Sequence, residues 1–570
     1  MMRKLLTPLA ALGLSLVLAA PVAAQSIAGP YLAARSAAIQ SDFEQAASYY
    51  TRALARDPSN LYLMESALVA QLALGRLELA LPIAQAMQRA DQSSQVAQLV
   101  LTADKVINGE YEALLTERGD AQVIGPLVDG LIEAWALIGT GDVSEALNRF
   151  DAIAAQQGLQ AFAMFHKAMA VASVGDFEAA DEIFSSDVNG TVLQTRRGIL
   201  ARVEILSQLE REDEALELLE TTFSGATDPE IDAVIAALAE DDPMPFTHVN
   251  SVQDGFAEVF FTVAAALRSE TGPEFTILYA QTARILRSDH VDAILLTAEL
   301  FEDLEQYEAS IEVLKEVPAT HPAYHAAELG RAAALRRSGK QDAAIEVLEQ
   351  LARSHGDLVS VQSALGDALR QQDRFEEAVG AYNKAIALVE ETNGTSNWFL
   401  LYARAISYER QGFWDQAEQD FRAALELNPG QPQVLNYLGY SLVEKQIKLD
   451  EALEMIERAV AASPDSGYII DSLGWALYRL GRYQEAVPHM ERAVELMAVD
   501  PVVNDHLGDV YWAVGRYREA EFQWSRALSF IDKSQTVEDV DPERIRRKLE
   551  VGLDVVLDEE GAEPLKVVTD

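Results

Sequence analysis

Two aspartates, Asp471 and Asp505, recur 34 residues apart at equivalent places in neighbouring segments of the chain. A pair of carboxylates can carry out acid–base chemistry when its surroundings drive the two pKa values apart. Recurrence at a fixed interval, however, indicates a repeated structural or binding position rather than a single active site. We therefore expect no catalytic residues and no enzyme activity.

The histidines offer one further arrangement that could do chemistry. His321 and His325 are four residues apart, a spacing that on a helix would supply half of a metal site. Because His321 precedes Pro322, we expect it to lie before the helix begins, which favours a pair of surface histidines. The chain contains no His-Glu-x-x-His or Gly-x-Ser-x-Gly motif, and Gly139-Thr140-Gly141 lacks the Lys-Ser/Thr of a phosphate-binding loop. We expect no metal and no cofactor.

Composition narrows the classes of partner. The chain of 570 residues has a formal net charge of −45, which argues against nucleic acid and against an anionic lipid surface. Two interpretations of this charge remain open: solubility, or a binding face for cationic partners. The chain has no cysteine, which excludes disulfides, thiol catalysis, cysteine–zinc sites and a lipoprotein anchor.

The elements that position these residues are repeats. Three segments share one apolar pattern: Leu435-x2-Leu438-Gly439-x2-Leu442, Ile470-x2-Leu473-Gly474-x2-Leu477 and Asn504-x2-Leu507-Gly508-x2-Tyr511. Each is followed by an alanine, and these alanines (Ala452, Ala486, Ala520) are 34 residues apart. The glycines and alanines are expected where two helix backbones approach closely. Gly439 to Ala452 is one residue longer than Gly474 to Ala486, which predicts a longer turn around Gln446–Lys448.

This pattern resembles the tetratricopeptide repeat, a helix–turn–helix unit of about 34 residues. The resemblance is strongest over 361–527 and continues, more weakly, through most of the chain. It implies an all-α solenoid (a superhelix), in which stacked helix pairs bury a continuous core. Asp541 and Pro542 predict the N-terminus of a closing helix.

The resemblance also implies a binding surface. In this family the first helix of each unit lines the concave groove, and the corresponding partner-binding positions here are Asn436, Tyr440, Asp471, Trp475, Tyr478, Asp505, Asp509 and Trp512. Aromatic rings and carboxylates suit an extended peptide or a helix with basic and apolar side chains. An alternative for Trp475 and Tyr478 is packing against the neighbouring repeat.

We expect five parts. Residues 1–24 are typical of a cleaved secretory signal, with Arg3 and Lys4 before an apolar run and cleavage after Ala24; an uncleaved N-terminal anchor is the alternative. A degenerate N-terminal array (25–240) and a C-terminal array (253–535) are separated by a break at 241–252, where Asp-Asp-Pro-Met-Pro cannot continue a helix. A capping helix and acidic tail occupy 536–570. We expect no transmembrane segment in the mature chain.

The sequence Leu-Asn-Tyr-Leu-Gly-Tyr-Ser at 435–441 and Asp-Ser-Leu-Gly-Trp-Ala-Leu-Tyr at 471–478 resemble an exported bacterial subfamily. That subfamily includes adaptors of periplasmic carboxyl-terminal processing proteases. We therefore expect a periplasmic, non-enzymatic scaffold or adaptor that binds a protein or peptide partner in the groove. The alternative is a structural subunit of a cell-envelope assembly (secretion, polysaccharide export or cell-wall machinery). An enzyme within the degenerate region 96–125 is a third hypothesis, which no motif supports.

Overall fold

The computed structural model describes residues 27–116, 124–186, 195–223, 228–240, 243–391, 397–531, 540–562 and 564–565. These residues form thirty-one α-helices, and no β-strand occurs among them. The fold class expected from the sequence, an all-α array of tetratricopeptide-type helix pairs, is therefore confirmed. The predicted signal peptide at 1–24 lies outside the described residues.

The chain divides into two compact units, residues 1–339 and 340–570. The helices of the first unit are α1 (Ala28–Ile39), α2 (Phe43–Leu54), α3 (Leu61–Ala73), α4 (Leu77–Arg89), α5 (Gln95–Ile107), α6 (Tyr111–Thr116), α7 (Pro126–Thr140), α8 (Val143–Ala154), α9 (Gln160–Ser173), α10 (Phe177–Ser185), α11 (Arg196–Gln208), α12 (Glu212–Phe223), α13 (Pro229–Leu238), α14 (Val252–Leu267), α15 (Pro273–Leu286), α16 (Val291–Asp303), α17 (Tyr307–Leu314) and α18 (Tyr324–Arg337).

The helices of the second unit are α19 (Gln341–Ser354), α20 (Val359–Arg370), α21 (Phe375–Glu391), α22 (Trp398–Arg410), α23 (Trp414–Leu427), α24 (Pro432–Glu444), α25 (Leu449–Ala462), α26 (Gly467–Arg479), α27 (Tyr483–Leu496), α28 (Pro501–Ala513), α29 (Tyr517–Phe530), α30 (Pro542–Val551) and α31 (Leu553–Glu559). From α20 to α29, each even-numbered helix pairs with the odd-numbered helix that follows it. We call these the first and second helix of a repeat. Among the described residues, no helix is long and apolar enough to cross a membrane.

Local chemistry explains where the helices of a pair start and stop. In the first unit, Gly141 and Gly175 have a left-handed backbone (φ 87° at both), which ends the first helix. The next residue, Asp142 or Asp176, accepts a hydrogen bond from the backbone three residues on and so caps the second helix. In the second unit Gln446 and Lys448 have φ of 55° and 50°, which confirms the longer turn predicted there.

Small residues set the distance between the paired helices of the second unit. A Cβ added at Gly474 would lie 2.2 Å from the Met490 sulfur, and one at Gly508 would lie 2.4 Å from the Trp524 ring. Both distances are too short for a real contact, so a larger residue would push the helices apart. The prediction that these glycines mark close helix approach is confirmed.

In the first unit the odd-numbered helices α3, α5, α7 and α9 are the first helices of their pairs, and other helices cover them. Helices α14 and α15 pack against α3, α5, α7 and α9. Gln281 Nε2 on α15 donates to the carbonyl of Ala73 on α3 at 2.8 Å, and Gln95 Nε2 on α5 donates to the Tyr279 hydroxyl at 2.8 Å. One hydrophobic core joins these helices. Helices α3, α5, α7 and α9 are therefore covered by α14 and α15 of the same unit.

The interruption predicted at 241–252 is visible over 243–251, where the chain is not helical. This segment packs against the unit: Val249 is fully buried, and His248 Nδ1 lies 2.8 Å from the Glu204 carboxylate. The boundary between the two compact units follows Gly339, which lies after this segment in the chain. The assignment of 241–252 as a linker between arrays stays a prediction.

Candidate functional site

The candidate site lies on the first helices of the second unit. Asn436, Asp471 and Asp505 occupy equivalent positions on α24, α26 and α28. Asn436 Nδ2 donates to Ser472 Oγ at 3.2 Å, which links α24 to α26. The Asp471 carboxylate lies 3.0 Å from His506 Nδ1, which links α26 to α28. These polar contacts therefore join each first helix to the next.

His506 and Trp475 form the centre of this surface. The Trp475 ring stacks on the His506 ring at 4.0 Å and on the Tyr478 ring at 4.8 Å. The indole Nε1 donates to Glu444 at 2.9 Å. Burial by itself would lower the pKa of His506. The negative charges of Asp471, Asp505 and Asp509 outweigh this effect of burial, Asp471 most strongly, and the pKa is raised. The imidazole is therefore held between a carboxylate and an aromatic ring.

The end of the surface holds two carboxylates close to one buried lysine. Lys548 Nζ donates to Asp509 at 2.6 Å and to Asp505 at 3.0 Å, and its side chain is fully buried. Trp524 Nε1 also donates to Asp509, at 2.9 Å. Burial and the neighbouring Asp509 charge raise the pKa of Asp505, although Lys548 opposes both effects. Two acids therefore share a single ammonium group.

Trp512 completes this end of the surface. Its Nε1 donates to Asp554 at 2.9 Å, and its ring lies 5.4 Å from the Trp524 ring. Gly552 lies against the Trp512 ring, because a Cβ added at this glycine would come within 2.4 Å of it. Trp512 is therefore covered on one side by the C-terminal segment.

The eight predicted residues all lie on the first helices α24, α26 and α28, but they differ in how deeply they are buried. Asn436, Asp471, Tyr478 and Asp509 are buried, whereas Tyr440, Trp475, Asp505 and Trp512 are partly exposed. Stacking of Trp475 on His506 shows the packing against a neighbouring repeat that the sequence left open as an alternative. Tyr478 is 9% exposed, and burial raises its pKa. The role of the eight residues in partner binding stays a prediction.

Sequence reasoning missed the partners of these residues. Glu444, Ser472 and His506 are not among the predicted positions, although each lies on a first helix and contacts a residue that is. Lys548 and Arg544 were expected only within a capping helix. The basic sequence Arg546-Arg547-Lys548 in a strongly acidic chain was the signal that could have found them.

The predicted histidine pair lies elsewhere, in the first unit. His321 precedes α18 and accepts a hydrogen bond from the Ala323 backbone at 3.1 Å, so it does not share a helical face with His325. Both line a polar cavity of about 440 Å³. Arg196 and Arg197 in its wall form ion pairs of 2.5 Å and 2.8 Å with Asp228 and Glu258. The described part of the chain contains no group of three or more ligating side chains placed for a metal ion.

Paired helices that stack in series and align their first helices along one face define a helical-repeat protein. The family model described as tetratricopeptide repeat matches residues 31–94, 295–358, 329–391, 402–467 and 445–501. The chain therefore contains tetratricopeptide repeats, and the matched segments include residues of both units.

Similar proteins share this repeat over different lengths. The TPR repeat-containing protein PA4667 of Pseudomonas aeruginosa is 32% identical over 158 residues, which are 27% of this chain and 26% of that protein. The matched part thus spans about a quarter of that relative.

Solved structures with similar helices include a tetratricopeptide repeat protein from Parabacteroides merdae (18% identity, 46% of this chain and 97% of that one, TM-score 0.37). YrrB, a TPR protein with an unusual peptide-binding site, is 18% identical, covering 33% of this chain and 93% of that one with a TM-score of 0.26.

Proposed function

We propose that this protein is a non-enzymatic, exported scaffold that binds a protein partner on the first helices of its second unit. The observation that carries the proposal is a difference between the two units. Other helices cover the first helices of the first unit, whereas the first helices of the second unit keep partly exposed aromatic rings. In the first unit α3, α5, α7 and α9 are packed against the unit's own α14 and α15. In the second unit the rings of Tyr440 and Trp475 are partly exposed, and the exposed Glu444 accepts a hydrogen bond from Trp475.

Such a surface suits a peptide or helix with basic and apolar side chains. Aromatic rings give a large contact area at a small cost in conformational entropy, and they are common among residues that dominate binding. Glu444 already accepts a hydrogen bond from Trp475, which orients the indole. The net charge of −45 favours encounter with a cationic partner.

Affinity capture from a periplasmic extract tests the proposal. The bait is the chain from Gln25, and the test variant is Tyr440→Ala/Trp475→Ala. Phe522→Ala is the matched control, since this ring is 61% exposed on the second helix α29. We expect a protein that the wild type and the control retain and the test variant loses. Equal retention by all three baits would contradict binding on this surface.

Export is part of the proposal and has its own test. It is supported by the basic start, apolar run and small residues of positions 1–24. Cell fractionation and N-terminal sequencing should find the mature protein in the periplasm, beginning at Gln25. Retention in the cytoplasm with the first 24 residues intact would contradict it. The similarity of 435–441 and 471–478 to adaptors of carboxyl-terminal processing proteases supports such a protease as the first partner to test.

A structural subunit of an envelope assembly is the second candidate, and the start of the first unit favours it. Leu32, Ile39 and Tyr62 are 63%, 76% and 52% exposed on α1 and α3. Apolar side chains at the end of a repeat array tend to associate with another surface. Sedimentation separates the candidates: a stable large assembly that Leu32→Ser/Ile39→Ser disperses favours the structural subunit, whereas a monomer favours the scaffold.

A further inference from the structure

Helix α30 and the glycine that ends it bring three residues against one surface: Arg544 and Lys548, which are one turn apart on the helix, and Gly552 directly after it. Lys548 binds Asp505 and Asp509, Arg544 Nη1 lies 3.7 Å from Asp509, and Gly552 lies against Trp512. Asp505, Asp509 and Trp512, which we call the acid–tryptophan site, are the three partner-binding positions predicted for the last repeat. Asp505 and Asp509 are therefore occupied by one basic helix of the same chain, and Trp512 by the glycine that ends this helix and by Asp554 of α31.

We propose that α30 is a built-in ligand of the acid–tryptophan site, and that the partner of this site is a basic helix that competes with it. The partner helix carries a lysine in its last turn and a glycine directly after its C-terminus, as Lys548 and Gly552 do here. This inference rests on the proposed function, because it names the class of partner that the second unit binds.

Charge supports the pairing. Pro542–Val551 carries four basic and two acidic residues in a chain whose net charge is −45. Two carboxylates of the site share one ammonium group, and burial with the Asp509 charge raises the pKa of Asp505. Without a cation, the like charges of Asp505 and Asp509 would repel each other with little screening by water, because their side chains are only 13% and 2% exposed, so the site favours a basic occupant.

The attachment of α30 differs from that of the other first helices. Helix α28 pairs with α29, which has 14 residues, whereas α30 is followed by α31, which has 7. The ion pairs of Arg544 with Glu560 and Arg547 with Glu559 lie within the C-terminal segment and would move with it. Displacement therefore breaks chiefly the contacts to the acid–tryptophan site and the burial of Ile545 and Leu553.

A binding experiment on the full chain tests the inference. The probe is a fluorescent synthetic peptide of residues 541–561, titrated by anisotropy against the wild type and two opened variants. Arg544→Glu/Lys548→Glu opens the site by charge repulsion, and Gly552→Val opens it by a clash with Trp512. We expect both variants to bind the peptide at least tenfold more tightly than the wild type. A peptide carrying Lys548→Glu should not bind.

Two results would overturn the inference: equal affinity of the wild type and opened variants, or equal binding of the two peptides. Circular dichroism of each variant establishes that the repeats are folded, and the second variant serves if the first is not. Adding Asp505→Asn/Asp509→Asn to an opened variant should abolish binding. The peptide test needs no partner, so a failed capture with normal peptide binding rejects the proposed function rather than the occupancy of the site by α30.

Discussion

The ring of Trp135 lies against the backbone of Gly255, so that a Cβ at this glycine would come within 2.3 Å of the indole. The contact joins α7 to α14 and lets α14 sit directly on the first helices of the unit. Gly255→Ala should lower the free energy of unfolding by about 1–3 kcal/mol, since Trp135 is fully buried and cannot move aside. Urea denaturation of the two proteins measures the difference.

Gly380 provides the matched control for Gly255. It also lies within a helix, but an added Cβ there meets nothing within 4 Å. Gly380→Ala should therefore stabilise the chain by about 0.5–1 kcal/mol, as expected for a glycine removed from a helix. A similar loss of stability in both variants would show that α14 does not depend on the close contact with Trp135.

The buried His166 should make the first unit sensitive to acid. Trp135 Nε1 donates to its Nδ1 at 3.4 Å and Thr262 Oγ1 lies 3.0 Å from its Nε2, while burial lowers its pKa to about 4. The ring is neutral when folded but is protonated below about pH 6.5 when unfolded. Its stabilising effect is therefore complete above pH 6.5 and is lost progressively as the pH falls to about 4.

Denaturation at a series of pH values measures this effect. Between pH 6.5 and pH 5 the wild type should lose about 2 kcal/mol that His166→Gln does not lose. Glutamine can keep one hydrogen bond without titrating, so the difference between the two pH profiles isolates the imidazole. Parallel profiles for the two proteins would contradict the prediction.

Glu258 forms a buried ion pair that should contribute strongly to stability. Its carboxylate lies 2.8 Å from Arg197 Nε and 3.4 Å from His290 Nε2. Although burial opposes ionisation, Arg197 and His290 hold the pKa of Glu258 well below its usual range. Glu258→Gln leaves a buried guanidinium with less compensation and should cost about 3–5 kcal/mol.

The exposed pair of Arg268 and Glu299 provides the comparison for Glu258. The Glu299 side chain is 51% exposed, so water screens the attraction. Glu299→Gln should cost less than about 1 kcal/mol. Thermal denaturation of the two variants checks the contrast, and equal losses would show that burial does not set the contribution of these pairs.

Asp471 should control the protonation of His506. It lies 3.0 Å from the imidazole and raises the pKa of this histidine more than Asp505 or Asp509 does. Asp471→Asn should therefore lower the pKa of His506, which NMR titration of the imidazole protons measures. Glu444→Gln, which changes the hydrogen bond to Trp475 but not the contact to the imidazole, should leave that pKa as in the wild type.

Much of the local structure followed from short stretches of sequence. Gly474 and Gly508 predicted close helix approach because a side chain at those positions has no room. Asp541 and Pro542 predicted the start of α30, and Asp541 indeed caps that helix. These features depend on residues within a few turns of one another, so the order of residues suffices to indicate them.

Other features could not be predicted in this way. The sequence placed Asp505, Asp509 and Trp512 on a face for partners, but it did not show that the C-terminal segment covers them. Nor did it indicate that Glu258 meets Arg197, or that α14 and α15 pack on the first helices of their own unit. These contacts join residues far apart in the chain, which no repeat period relates.

The sequence by itself determined that this is an all-α repeat protein, because apolar positions at a 34-residue period specify helix pairs that can bury their faces only by stacking. It also predicted, from the resemblance, eight positions for partner binding on the first helices. The tertiary structure alone decided which of these side chains are buried and which are covered by α30. Burial depends on the elements that pack from a distance, and their positions are set by the whole of each unit rather than by any one repeat.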